Sequence, residues 1–208
     1  MTWTLPNILT AGRLLAAPGV AVMFLYFTRP YADWFALMLF VSAAITDWFD
    51  GYLARSGKQE TKIGAMLDPL ADKAMVVIAL MVIVGYSSMS PWLVLPATVI
   101  LFREVFVSGL REFLGAKAGL LQVTKLAKWK TTAQMVSIAV LFLGTGLAYL
   151  EAGRPPDLGE TELPAGTSWA ALATLLGLVL IWVAALLTAL TGWDYFRKAL
   201  PYLKDDPR

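Results

Sequence analysis

Four carboxylates, Asp47, Asp50, Asp68 and Asp72, stand close together in a chain otherwise built mostly of apolar side chains. Asp47 and Asp50 are three residues apart, and Asp68 and Asp72 four apart, so each pair shares one face of a helix. Gly51 and Ala54 continue the first face with little bulk, and Gly64 does the same one step before Asp68. A single Asp deep in a membrane helix costs about 2.5 to 3.5 kcal/mol, so four unpaired acids approach roughly 10 kcal/mol, less at interfacial depth. Two divalent cations would cancel that charge. Carboxylate-only ligation selects hard ions, Mg²⁺ or Mn²⁺, and paired metals suit an in-line displacement at phosphorus. The competing reading is structural, with Arg55, Lys58, Lys62 and Lys73 pairing with the acids at the interface. Four acids at these spacings beside glycines favour the metal.

Composition narrows the chemistry. The 208 residues include neither Cys nor His, which excludes disulfides, Cys/His zinc sites and imidazole acid–base catalysis. A carboxylate is then the natural proton acceptor. The formal net charge of +2 is too small to suggest nucleic acid as a partner. With 58% hydrophobic residues and a mean hydropathy of +0.65, the chain reads as an all-α polytopic membrane protein. No linker-like run divides it, so residues 1–208 are expected to form a single domain.

Six apolar spans must position the acids: about Ile8–Thr28, Tyr31–Ala54, Ile63–Tyr86, Pro91–Leu114, Thr131–Leu150 and Ser168–Phe196. The first lacks a basic leader and a clear cleavage site, which predicts an uncleaved span. Arg55–Lys62 reads as a tight connection that makes the second and third spans antiparallel neighbours with their acids facing each other. Pro69 either kinks the third helix or lets Asp68 cap its start. With both termini cytoplasmic, Arg55, Lys58, Lys62, Lys117, Lys125, Lys128, Lys130, Arg197, Lys198, Lys204 and Arg208 all lie inside, against Arg29 and Arg154 outside. That is a strong positive-inside bias, and it brings all four acids near the cytoplasmic face. Trp193, Tyr195 and Tyr202 beside Arg197 and Lys198 read as an interfacial belt.

The run D-x2-D-G-x2-A-R-x8-G-x3-D-x3-D is complete as Asp47, Asp50, Gly51, Ala54, Arg55, Gly64, Asp68 and Asp72. It resembles the signature of the CDP-alcohol phosphotransferases. The resemblance extends to the six-span layout and to the opening P-N-x-L-T-x2-R at Pro6, Asn7, Leu9, Thr10 and Arg13. The segments TDWFDGYLAR, GAMLDPLADK, REVFVSGLRE and KWKTTAQM are most similar to the branch whose acceptor is glycerol 3-phosphate. The resemblance implies a phosphatidyl transfer from CDP-diacylglycerol to glycerol 3-phosphate, releasing CMP, in the bacterial inner membrane and by a homodimer. It implies that Asp47, Asp50 and Asp68 are metal ligands, that Asp72 lies at or beside the metals as the catalytic base, and that Gly51, Ala54, Arg55 and Gly64 meet the cytidine nucleotide. For Ala54 and the glycines the plain alternative is close helix packing through small residues.

Arg103 and Arg111 lie on one helical stripe with Val107 between them, and guanidinium forks suit a phosphate. Glu104 and Glu112 are the structural alternative partners. The resemblance implies acceptor-phosphate recognition by these arginines and by a lysine of the next segment, best placed at Lys128, with Lys125 and Lys130 weaker because they also satisfy the positive-inside rule or touch membrane lipids. Thr10 and Arg13 approach the same polar cavity, unless Arg13 snorkels. An ion-coupled transporter would instead show acids near mid-membrane and inverted repeats. A sister enzyme taking inositol phosphate is the nearer alternative.

Overall fold

A computed structural model describes residues 4–57, 61–115, 119, 125–152 and 168–203, with side chains described throughout except at 48, 50–57, 62, 125–128 and 152. The described residues form helices and their connections: α1 (Leu5–Tyr26), α2 (Tyr31–Gly57), α3 (Lys62–Gly85), α4 (Pro91–Leu114), α5 (Lys125–Ala152) and α6 (Trp169–Leu203). Four of them, α1, α4, most of α5 and α6, are long and apolar enough to cross a membrane. The two that fall short, α2 and α3, are the ones carrying the motif acids. Large apolar side chains such as Leu15, Leu25, Met38, Phe102, Val105 and Leu186 face outward, a surface that water would penalise and a bilayer accommodates.

Local sequence sets the helix ends. Pro6 and Pro91 occupy first-turn positions of α1 and α4, where a missing N–H costs nothing. Gly115 ends α4 at φ +52, a left-handed conformation that favours glycine. Of the two expectations for Pro69, the structure selects the interior position. Thr61 caps α3, its Oγ1 accepting from the Gly64 N–H at 3.0 Å, so Asp68 lies inside the helix and its carboxylate is free for other work. Lys125–Lys130 belong to α5, which therefore begins earlier than the apolar run at Thr131 suggested. Lysine is a good helix former that a hydropathy pattern cannot see.

Helix α1 packs on α2 and α3, α5 packs on α6 and α2, and α4 on α6. Phe24, Phe40 and Phe142 meet at the centre, with ring centroids 5.8 and 6.1 Å from Phe142. Between α5 and α6 the approach is close enough that a Cβ at Gly144 would lie 2.7 Å from Thr174 Oγ1, and one at Gly177 2.8 Å from Leu141. Small residues bring the backbones together, and Gln134 Nε2 donating to Thr188 Oγ1 at 3.0 Å adds a buried polar link.

The end away from the motif acids is fastened by one cation. Arg29 pairs with fully buried Asp33, and its guanidinium lies 5.7, 5.4 and 5.3 Å from the rings of Phe24, Tyr86 and Tyr149. The Tyr86 hydroxyl donates to the Phe24 carbonyl at 3.0 Å. Arg29→Ala leaves Asp33 buried without its cation, and is expected to cost about 3 to 5 kcal/mol. Unfolding midpoints of purified protein in detergent check this, and the double variant with Asp33→Ala is expected to recover part of the loss.

Candidate active site

Three of the four motif acids converge on Arg13. This α1 residue is only 4% exposed, and its Nη1 pairs with Asp47 Oδ1 of α2 and lies 2.8 Å from Asp72 Oδ1 of α3. Its Nη2 is 3.6 Å from Asp68 Oδ1. Thr10, one turn before Arg13, has its Oγ1 2.7 Å from Asp68 Oδ1 and 3.0 Å from the Pro6 carbonyl, and its single proton serves one acceptor at a time. The carboxylates themselves are about half exposed, at 47, 50 and 47% for Asp47, Asp68 and Asp72. Arg13 thus forms a buried floor, and the acids stand on it with their remaining surface open. The side chains of Asp50, Gly51, Ala54 and Arg55 lie outside the described residues.

This cluster fits a hard cation by its donors: carboxylate oxygens from two helices, accessible from one side, with three negative charges against one guanidinium among the described residues. The described acids are not gathered into a ready-made three-ligand group; they are spaced around the guanidinium. Asp47 and Asp72 face each other across that cation, but α2 and α3 are not the direct neighbours expected: among the described residues α1 packs on both, and its Arg13 stands between their acids. Arg13 is therefore no snorkelling residue. It and Thr10 sit among the acids.

Gly64 serves a close approach between helices. A Cβ there would lie 2.7 Å from Asn7 Oδ1, the atom that accepts from Thr61 Oγ1 at 2.9 Å. Asn7 is buried on α1, so Asn7, Thr61 and Gly64 lock the start of α3 onto α1 and set the depth of Asp68 and Asp72.

A second polar group begins one residue after Asp72. Lys73 Nζ donates to Ser108 Oγ of α4, whose hydroxyl lies 2.6 Å from the Glu104 carbonyl. The Glu104 carboxylate pairs with Lys130 of α5 and accepts from Arg103 Nη1 at 3.1 Å. Arg103 Nε is buried with no hydrogen-bond partner among the described residues. Its Cγ fills the space above Gly192 of α6, where a Cβ would come within 2.8 Å. Arg103 and Lys130 thus meet on the Glu104 carboxylate while Lys73 reaches the same residue's carbonyl through Ser108, a surplus of positive charge beside the acid cluster.

Arg111, expected to share this role, is exposed two turns further along α4, with its guanidinium 6.0 Å from the Tyr195 ring. No ion pair with Glu112 is formed among the described residues. Tyr195 is 8% exposed and packs with Val107, Leu114 and Ala199. It is thus a core residue between α4 and α6, correcting its expected place in the interfacial belt, while Trp193 and Tyr202 remain exposed. The Lys128 side chain lies outside the described residues, whereas Lys130, the weaker expectation, is 6% exposed and paired with Glu104. Sequence reasoning named Lys73 only as a structural partner for the acids and Asn7 only as part of the opening motif, and it did not name Ser108; among the described residues Lys73 donates to Ser108.

Among the described residues, an all-helical architecture with outward apolar faces carries an acid cluster on α2 and α3 and a neighbouring cation cluster, the build of an integral membrane protein with a polar site. A family model described as CDP-alcohol phosphatidyltransferase matches residues 3–193, and the chain belongs to that family. A Cereibacter sphaeroides protein named CDP-diacylglycerol–glycerol-3-phosphate 3-phosphatidyltransferase is 68% identical, over 99% of this chain and 100% of its own length. Proteins of the same name from Rickettsia bellii and Salmonella choleraesuis are 37 and 43% identical, over 95 and 68% of this chain and 96 and 78% of their own lengths.

Proposed function

We propose that this chain is a phosphatidylglycerophosphate synthase, transferring the phosphatidyl group of CDP-diacylglycerol to a hydroxyl of glycerol 3-phosphate and releasing CMP. The observation that carries the reading is the juxtaposition of two unlike clusters. Asp47, Asp68 and Asp72 stand on Arg13, and the next residue after Asp72 opens a cation group containing Lys73, Arg103 and Lys130. A nucleotide diphosphate held by metals needs the first, and an acceptor that carries its own phosphate needs the second. The relatives' shared name supports the same donor and acceptor.

Asp47, Asp50, Asp68 and Asp72 would hold Mg²⁺ or Mn²⁺, two ions by charge. Bound there, the ions would supply a counter-charge to the diphosphate. Arg13 orients Asp47 and Asp72, and Thr10 orients Asp68. Arg103 and Lys130, braced by Glu104, bind the acceptor phosphate, with Arg111 and Lys128 the further candidates that the resemblance implies. Gly51, Ala54 and Arg55 are the residues that the motif resemblance assigns to the cytidine nucleotide. Asp72 accepts the proton of the attacking hydroxyl as the new oxygen–phosphorus bond forms and the phosphatidyl–CMP bond breaks; CMP leaves with the electron pair.

The charge pattern supports six spans, α2 and α3 included, in one domain of the bacterial inner membrane, with the site toward the cytoplasm. The assembly is a homodimer. The test is an acceptor panel: purified protein, CDP-diacylglycerol and Mg²⁺ or Mn²⁺, with CMP release followed. Turnover with glycerol 3-phosphate is expected. Turnover with inositol phosphate alone reassigns the acceptor, and silence with every acceptor and metal removes the enzymatic reading.

A further inference from the structure

Thr188, Gly192, Tyr195 and Ala199 form one buried stripe along α6. Its contacts with α4 advance in step along both helices. The Trp182 indole N–H donates to the Trp92 carbonyl at 3.0 Å, Gly192 lies under Arg103, and Tyr195 packs with Val107. The two helices therefore run in the same direction, and Tyr195 stands one turn beyond Arg103 on the seam between them.

The Tyr195 ring suits that seam and its hydroxyl does not. Tyr195 is more than nine-tenths buried, and its Oη has no hydrogen-bond partner among the described residues. Phenylalanine would fill the same space without leaving a polar atom dry. A helical tyrosine leans back toward the turn before it, which here carries Gly192. Across that turn lies Arg103 Nε, 3.8 Å from where a Gly192 Cβ would stand, and it too is buried without a partner among the described residues. One ligand that accepts from both groups accounts for both. Arg103 and Lys130 outnumber the single Glu104 carboxylate between them, so that ligand is an oxyanion. The way in passes Arg111, which is exposed and holds the Tyr195 ring only by a cation–ring contact, weak at an exposed site.

We propose that the Tyr195 hydroxyl donates to a phosphate oxygen of the acceptor, completing a seat shared with Arg103 and Lys130. The inference rests on the acceptor chemistry proposed above. It gives α6 a part in binding the acceptor, beyond the packing role of its small residues. The lipid donor carries phosphate oxygens as well, so the two substrates are titrated separately.

Tyr195→Phe removes one oxygen and keeps the ring. In full-length protein purified in detergent, its unfolding midpoint without ligands is expected to equal or exceed that of the unsubstituted chain, because a buried unpaired hydroxyl is gone. The KM for glycerol 3-phosphate is expected to rise roughly 10-fold, with kcat and the KM for CDP-diacylglycerol within about twofold. Inorganic phosphate, a probe that needs no turnover, is expected to raise the midpoint of the variant only at about tenfold higher concentration. A variant that fails to fold, or unfolds earlier without ligands, assigns the hydroxyl to the fold. An unchanged acceptor KM removes it from the acceptor, and a rise confined to the donor KM moves it to the nucleotide. Each of these results overturns the proposal. Stabilisation by inorganic phosphate that depends on Tyr195, without CMP release on any acceptor, would retire the proposed reaction and leave the phosphate seat in place.

Discussion

Asp72→Asn is expected to lower CMP release by about 10³-fold or more, while the unfolding midpoint stays unchanged or rises. The two effects part because of how the site is built. Asp72 Oδ1 lies 2.8 Å from Arg13 Nη1, which also pairs with Asp47, and Asp68 lies 3.6 Å from Nη2. One guanidinium thus faces three carboxylates among the described residues. Removing one negative charge lessens their mutual repulsion and leaves Arg13 paired with Asp47, so the fold has little to lose. The reaction loses an anionic donor for the metal and the proposed proton acceptor; asparagine offers the metal only a neutral carbonyl oxygen and cannot take up the proton. Asp68→Ala is expected to be as inactive, with the added loss of the Thr10 contact at 2.7 Å. CMP release measured beside thermal unfolding in detergent checks both halves. Retention of more than about a tenth of the activity by Asp72→Asn would remove Asp72 from the proposed base and metal roles.

The acid cluster was legible in the sequence because its logic is local. Helical spacing put Asp47 on one face and Asp68 and Asp72 on another; the expected direct packing of α2 on α3 is replaced by α1, which packs on both and lies between their acids. Arg13 was harder. A basic residue one turn or so inside a first span reads equally as a snorkelling side chain, and only the packing of α1 against both α2 and α3 puts its guanidinium beneath the acids. Gly64 was read as room for a nucleotide, yet its missing Cβ accommodates Asn7. Sequence shows that a glycine leaves space, but not which neighbour takes it.

The cation cluster was legible in kind and displaced in detail. Lys73, Glu104 and Lys130 come from α3, α4 and α5, and no periodicity within one helix links them. Arg103 and Arg111, expected to meet one phosphate from a single i, i+4, i+8 stripe, both lie against α6, but two turns of helix separate them. Gly192 makes room for Arg103, whereas Tyr195 closes the gap under Arg111 and leaves its guanidinium exposed. A residue on α6 therefore decides which arginine of α4 is buried.

Arg103→Lys is expected to raise the KM for glycerol 3-phosphate by roughly 10- to 100-fold, about 1.4 to 2.8 kcal/mol, with the KM for CDP-diacylglycerol unchanged and kcat within about threefold. Lysine keeps the charge but not the planar fork, and Arg103 Nε is a buried donor with no partner among the described residues, as a phosphate-binding nitrogen would be without its ligand. Gly192→Ala probes the same residue without changing it. The added Cβ would meet Arg103 Cγ at 2.8 Å and push the guanidinium off its seat, so the acceptor KM should rise in the same direction by a smaller factor. Arg111→Ala, on the exposed side of Tyr195, is expected to change that KM by less than about threefold. Steady-state kinetics with each substrate varied in turn decides the matter. If Arg111→Ala raises the acceptor KM more than Arg103→Lys does, the phosphate lies toward the exposed end of α4, and the buried group around Glu104 is a structural brace between α4 and α5.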